Sequence, residues 1–466
     1  MPKKMRGMLL VVFALVPFLF AAAAHAAETT DIVNPNQTYT YEQMTEDIRQ
    51  LAKSYPELIE YKSIGKTRYG RDIWAVRLGT GDAKVLINAS HHAREWMTTN
   101  LVMNMIDQYA QLYVRNGAMN GRALQSVLNN TSIWFVPMVN PDGVTLQQKG
   151  VSAFPSEARA GLLAMNEKSS DFSRWKANAE GIDLNRQYPA EWKSIRNDSG
   201  RPYYKNFKGD EPLQTAETKA MVAFTKEVDP DMELSYHSSG SILYWNFHTL
   251  DKNLERDRKI MSQVAAMTGY TPVKPESNPS GGGFTDWFIQ SLGRPGLTPE
   301  IGRYAGEGSL PLSEFPRIWN ENRDLGLFVA QQGFELWKER IPVEYKTFDL
   351  ILTEPLPLYS EADSRNKTGA SLTAQPLKAD ARLGNWFRVN TWLGKSWVHV
   401  NKPLLGKIEV KESKIELTED TRMYREPRQS SGILSELSPQ TVTAFEQMED
   451  WYHIRTWLGD AWVQVK

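Results

Sequence analysis

The stretch NASHHAREWMTTN, residues 88–100, sets two histidines, an arginine and a glutamate directly behind the apolar run VLINA. Imidazoles and carboxylates are the groups that hold divalent metals and move protons. The chain has seven histidines, and two side by side here are either a polar strand-to-helix turn or a set of ligands. His25 belongs to an apolar leader, and His399 and His453 to the C-terminal region, which leaves His91, His92, His237 and His248. His92 and Glu95 lie three apart where a strand gives way to a helix, and His237 follows a strand in SYHSSG (235–240). Two imidazoles and one carboxylate suit Zn²⁺ at a catalytic site, with the fourth position left for water. Cysteine is absent, so any metal must be held by His, Asp or Glu. The helical HExxH arrangement is missing as well, which excludes a thermolysin-type layout.

The elements that must position these residues alternate between strand and helix. TYEQMTEDIRQLAKSY (40–55) has a Thr N-cap and a helical apolar period, DIWAVRLG (72–79) and VLINA (85–89) read as strands, and TNLVMNMIDQYAQLY (99–113) reads as a helix. IWFVPMVNPDG (133–143) is a buried strand running into a turn, TAETKAMVAFTKEV (215–228) is helical, and GLTPEIG (296–302) is a short strand. Residues 311–339 predict long helical packing. Interleaved strands and helices imply an α/β layer fold over 38–342, whose ligands sit beyond the strand ends.

The 466 residues are enough for this unit plus something smaller, and a formal net charge of −1 argues against nucleic acid as a partner. Residues 1–26 carry Lys3, Lys4 and Arg6, an unbroken apolar run and small residues before Ala27, the pattern of a secretory signal peptide. An uncleaved anchor is the rival reading. Export of a mature chain with no membrane span, secreted or held at the cell wall, is therefore expected, with 27–37 as a linker. After Pro342 the texture changes to short strands, and Tyr359/Tyr424, Trp386/Trp451, Trp392/Trp457, Gly394/Gly459 and Trp397/Trp462 share one offset of 65 residues. A gapless repeat predicts two small all-β modules, 348–412 and 413–466, with most of these tryptophans in their cores. The modules resemble bacterial SH3-like domains, which implies cell-wall binding as a further expectation.

HAREW, GIDLNRQYP (181–189), SYHSSG and LTPEIG, in that order, resemble the carboxypeptidase A-like zinc metallopeptidases. The resemblance covers most of residues 38–340. It implies a mixed twisted sheet with helices on both faces and one Zn²⁺ held by His92, Glu95 and His237, with His91 turned away. It implies Glu300 as general base, Asn185 and Arg186 as the grip on a substrate carboxylate, Arg94 as a further substrate contact, and Asp183 as the residue that orients His92. Where the digestive enzymes have a carbonyl-polarising arginine, the nearest match is Lys176, a point charge in place of a fork. The family's mobile tyrosine has no counterpart near ESNP (276–279), and Thr285 stands at the base of the specificity pocket, neither aliphatic nor acidic.

These departures, with WKAN, YWNF, FTDWFIQ and LPLSEF, look more like the bacterial γ-D-glutamyl-L-diamino acid peptidases. That resemblance implies a peptidoglycan stem-peptide substrate cut at the γ-D-glutamyl-diaminopimelate bond. HAREW is closer to the ordinary carboxypeptidases, so a broader metallocarboxypeptidase acting on protein-derived peptides is the alternative. A non-catalytic wall-binding protein is a third reading, and it predicts a lost ligand or base. None of His92, Glu95, His237 and Glu300 is missing.

Overall fold

The computed structural model describes residues 31–465. The leader assigned to 1–26 lies outside the described residues, as do the first residues of the 27–37 segment. The remainder of that segment is fastened down instead of running free. The backbone N–H groups of Ile32 and Val33 donate to the Asp107 carboxylate at 2.8 and 2.9 Å, and the Asn100 amide donates to the carbonyls of Pro35 and Gln37.

Eight strands make the sheet of the α/β unit among the described residues: β1 (Ile59–Lys66), β2 (Asp72–Leu78), β3 (Ala83–Ala89), β4 (Thr131–Val136), β5 (Met232–Ser238), β6 (Ile242–Tyr244), β7 (Thr271–Pro272) and β8 (Gly296–Ile301). Their spatial order is β1-β2-β4-β3-β5-β8-β6-β7. The central pairs β4-β3, β3-β5 and β5-β8 are parallel, while β1-β2, β2-β4 and β8-β6 are antiparallel. The sheet is mixed, as expected.

Five helices carry the argument: α1 (Tyr41–Ser54), α2 (Met97–Val114), α3 (Ala216–Val228), α4 (Phe284–Leu292) and α5 (Leu325–Arg340). Thr40 caps α1, its hydroxyl accepting the Gln43 N–H. The helical region expected over 311–339 is two helices, because the chain breaks after Asn322, whose buried amide donates to the Tyr270 hydroxyl. Side chains alternate across the sheet and divide the core. Val85, Ile87 and Ala89 of β3 pack with α2 and α5, whereas Leu86 joins the opposite core with α3 and α4. On β5, Met232, Leu234 and Tyr236 take the α2 side, and on β8 so do Leu297 and Ile301. Glu233, Ser235 and His237, together with Thr298 and Glu300, are thereby aimed at the other face.

From Phe348 onward the described chain is short strands joined by turns, with one short 3-10 helix at Gln429–Ser431. Residues 348–405 contain one antiparallel sheet and 409–464 a second, consistent with two SH3-like modules. Trp386 and Trp451 are buried as core residues, but Trp392 and Trp457 are each 67% exposed, so the core reading fails for that pair. No helix among the described residues is long and apolar enough to cross a membrane.

The first tail sheet is joined to the α/β unit by packing and by hydrogen bonds. Phe334 and Trp337 of α5 share one cluster with Tyr359, Leu383 and Trp386. The buried Asn130 amide donates to Asp363 and accepts the Ser364 N–H, both at 2.9 Å. Asn130→Leu would strand the Ser364 N–H, Asp363 keeping the bonds it accepts from Arg365, and should cost about 1–3 kcal/mol, read as a lower midpoint for the tail in calorimetry. An unchanged midpoint would show that the clamp adds nothing.

Candidate active site

The end of β3 decides where the paired histidines go. Ser90 takes a left-handed backbone with φ 52°, and the start of α2 holds it there. Its N–H donates to Thr98 Oγ1 at 2.9 Å and its hydroxyl meets Thr99 Oγ1 at 2.8 Å. The Asn140 amide bridges the carbonyls of His91 and Ala177, and the Ala93 N–H donates to the Lys176 carbonyl. The NPDG stretch, expected as a turn, instead starts a helix over Pro141–Lys149 capped by Asn140, and it ties the histidine turn to the segment carrying Lys176.

The two rings take different partners. His91 Nε2 lies 2.9 Å from the Tyr188 hydroxyl, turned away as expected, and burial followed by the neighbouring His237 and His92 pushes it well below the usual imidazole range. His92 Nδ1 instead lies 2.8 Å from Glu95 Oε1 and 3.1 Å from His237 Nδ1, and His237 Nδ1 is 2.9 Å from Glu95 Oε2. Three buried donors, from the β3 turn and the end of β5, thus face one point. A tetrahedral zinc with bonds of about 2.0–2.2 Å spaces its donors roughly 3.3–3.6 Å apart, a few tenths of an ångström more than these pairs, so a small opening of the cluster admits that ion. The donor set is also that of a hydrolytic zinc, two imidazoles and one carboxylate.

Asp183 organises the neighbourhood. His92 Nε2 lies 3.1 Å from its Oδ1, which fixes the tautomer that leaves Nδ1 free as a ligand. Lys176 Nζ lies 3.0 Å and Arg186 Nε 3.4 Å from Oδ2, and Oδ1 also accepts the Asn185 N–H, starting the short turn 184–186. Burial works against this carboxylate, yet Lys176, His92 and Arg186 hold it well below the usual carboxylate range. Glu95 is likewise buried against its charge and held low by His92 and His237.

A cavity of about 400 Å³ opens beside the donors. His92, Lys176, Asp183, Asn185, Arg186, Thr285 and Glu300 all line it. Glu300 stands abreast of His237 in the parallel register of β8 with β5, and burial followed by the like charge of Glu95 lifts it to about 7. Thr285, on α4, meets Thr298 of β8 hydroxyl to hydroxyl at 2.7 Å. Glu95, His237 and Arg94 are not among the residues lining the cavity, and the Arg94 guanidinium donates to the carbonyls of Arg174 and Glu307. Tyr244 does line it, opposite Thr298 in the antiparallel register of β6 with β8. Sequence reading sought a phenol near 276–279 and missed this one, which arrives on a strand three residues long. The only signal was YWNF itself.

Comparison with known proteins gives the same result as the geometry. The family model described as zinc carboxypeptidase matches residues 44–324. The chain belongs to the zinc carboxypeptidase family. It is similar to γ-D-glutamyl-L-diamino acid endopeptidase 1 of Lysinibacillus sphaericus, 35% identical over 305 residues that span 65% of this chain and 74% of the relative. An uncharacterised protein of Bacillus subtilis (strain 168) is 32% identical over 291 residues, 62% and 76% of the two chains. Among solved structures, thrombin-activatable fibrinolysis inhibitor superposes with a TM-score of 0.55 over 67% of this chain and 79% of its own, at 16% identity, which shows the fold. This zinc carboxypeptidase is accordingly a zinc metallopeptidase. Asp183→Asn should weaken metal binding by about 10- to 100-fold, measured by competition with a chelator. Unchanged affinity would mean that His92 needs no orienting partner.

Proposed function

We propose that this metallopeptidase hydrolyses peptidoglycan stem peptides at the γ-D-glutamyl-diaminopimelate bond, outside the cytoplasm. The observation that carries the reading is the cavity beside the donors, whose lining sets the Thr285–Thr298 hydroxyl pair with Lys176, Arg186 and Glu300. Diaminopimelate ends its side chain in an amine and a carboxylate, and these polar groups suit both. Similarity to a γ-D-glutamyl-L-diamino acid endopeptidase supports the same substrate class, and the apolar leader supports export.

In this reading His92, Glu95 and His237 hold the zinc, which when bound supplies the positive charge that acidifies water and polarises the scissile carbonyl. Glu300 takes the proton of the attacking water and returns it to the leaving amine. Arg186 and Asn185 receive the substrate's carboxylate, which a planar guanidinium meets with two donors. Lys176, steadied by Asp183, adds a point charge for the developing oxyanion. Arg94 contributes by tying the segments of residues 174 and 307 together, not by touching substrate.

Incubation of the mature protein with L-Ala-γ-D-Glu-meso-diaminopimelate should release diaminopimelate. Cleavage of ordinary blocked dipeptides alone would replace this reading with the broader carboxypeptidase. Glu300→Gln should retain zinc but lose about 10²- to 10⁴-fold in kcat, and a zinc-loaded variant with full turnover would remove Glu300 as base.

The tail is proposed to grip the wall through Trp392 and Trp457. Each sits beside a leucine at the tip of a Thr-Trp-Leu-Gly hairpin, with the Thr hydroxyl accepting the Leu N–H at 3.1 Å in both modules. Flat exposed indoles suit stacking on sugar rings. The full-length chain should co-sediment with purified peptidoglycan, and W392A combined with W457A should abolish that. Equal sedimentation of both proteins would leave the tips without this role.

A further inference from the structure

Arg196 and Glu276 both line the cavity, and no step of the proposed hydrolysis uses either. Arg196 Nη2 lies 3.1 Å from Glu276 Oε2, so the two form an ion pair. Glu276 belongs to ESNP (276–279), the segment where the family's mobile tyrosine is missing. The backbone of Arg196 is pinned from three sides. Its N–H donates to the Ser280 hydroxyl at 3.2 Å, and its carbonyl accepts Arg186 Nη1 at 2.7 Å. Its neighbour Ile195 is buried against Gly282, where a Cβ would come within 2.3 Å of the isoleucine. The side chains of Arg196 and Glu276, by contrast, are both more than half exposed.

The two segments do not need this pair to stay together. An exposed ion pair adds little stability. Backbone bonds already join them, the Gly282 N–H donating to the Ala190 carbonyl at 2.8 Å and the Tyr188 N–H to the Gly282 carbonyl at 3.0 Å. What the pair offers is two opposite charges side by side in the wall of a cavity, which is the complement of a zwitterion. The guanidinium can take a carboxylate with two donors, and the glutamate can take an ammonium. Arg186, which receives the substrate's terminal carboxylate in the proposed reading, touches the backbone from which the Arg196 side chain springs. The two amino-acid centres of diaminopimelate are four carbon–carbon bonds apart, about 5 Å when extended. One arginine is thereby available to each of its carboxylates.

We propose that Arg196 and Glu276 are specificity-determining residues that together receive a zwitterionic end of the substrate's side chain, the guanidinium meeting its carboxylate and the glutamate its ammonium. The inference rests on the stem-peptide reading for its choice of substrate, and on this cavity receiving the residue on the carboxyl side of the cut. Opening the pair costs little, because both side chains already reach water, and a bound zwitterion gives each charge a new partner. Lysine supplies only the ammonium and 2-aminopimelate only the carboxylate, so each leaves one member of the opened pair without its partner.

The test is a pair of kcat/KM ratios. The first sets meso-diaminopimelate over lysine, which lacks only the far carboxylate, and the second sets it over L-2-aminopimelate, which lacks only the far amine. Both are measured in γ-D-glutamyl substrates and in benzoylglycyl dipeptides. The unaltered enzyme should favour diaminopimelate in each. Arg196→Gln should lower the first ratio about tenfold and Glu276→Gln should lower the second, chiefly through KM, with the calorimetric midpoint of each variant unchanged because both side chains are exposed. Ratios that stay within about twofold of those of the unaltered enzyme, whatever happens to the rates themselves, would make the pair a clamp between two loops and overturn the inference. Failure to cut any γ-D-glutamyl substrate would remove the stem-peptide reading but leave both ratios measurable in the benzoylglycyl dipeptides.

Discussion

The parallel pairing of β5 with β8 is the constraint on which the rest of the site depends. It sets His237 abreast of Glu300 and Glu233 abreast of Gly296. Because side chains alternate, one face of these two strands carries the third metal donor, the candidate base, Thr298 and Glu233, while the other face is apolar core. A register slip of one residue would turn every one of these groups into the α2 core and bring leucines to the cavity. The placement of these groups is therefore set by one hydrogen-bonded ladder, and the packing of Leu234, Tyr236, Leu297 and Ile301 specifies it.

Charge is arranged around that ladder in a way that burial alone would not allow. Asp183 is a buried carboxylate with a histidine and two cations about it. It lowers its own cost by pairing, and it also orients His92 and positions Lys176 and Arg186. Removing one cation would leave the acid under-compensated, and removing the acid would release two positive side chains into the cavity. Buried ion clusters of this kind add little net stability compared with apolar packing, and their value lies in fixing geometry. Glu233 is the opposite case: a buried acid with no cation near it in the resting chain.

Much of this was legible in the sequence, for identifiable reasons. The donors lie within or just beyond the short motifs HAREW and SYHSSG, and the spacing of His92 and Glu95 across a strand-to-helix turn is itself the signal. GIDLNRQYP put Asp183, Asn185 and Arg186 in one segment because the aspartate starts the turn that carries the other two. What stayed hidden depends on tertiary register. Glu233 in MELSYHSSG reads as a polar residue of an ordinary strand until Gly296 is found opposite it. Tyr244 arrives on a strand too short to show periodicity. The bonds that tie Arg94 to the carbonyls of Arg174 and Glu307 were hidden because those partners are far off in the chain. Residues 31–37 looked like a linker because Asp107, which holds them, lies on α2.

The tail shows how a duplicated sequence separates core from surface. Across the two modules the buried positions keep their character: Trp386 and Trp451, Val389 and Ile454, Val398 and Val463. Exposed positions drift, and some reverse charge, as Lys395 does against Asp460. Trp392-Leu393 and Trp457-Leu458 are exposed and identical, as are Thr353-Glu354 and Thr418-Glu419 and also Gln375 and Gln440, but the tips set large apolar side chains in water. Water favours replacing a bare indole at a hairpin tip, and the fold gains nothing from keeping it, since the Thr hydroxyl and the left-handed Gly394 and Gly459 already set the turn. Because α5 packs against the first module through Trp337, any contact made at the tips would carry the peptidase and its cavity along with it.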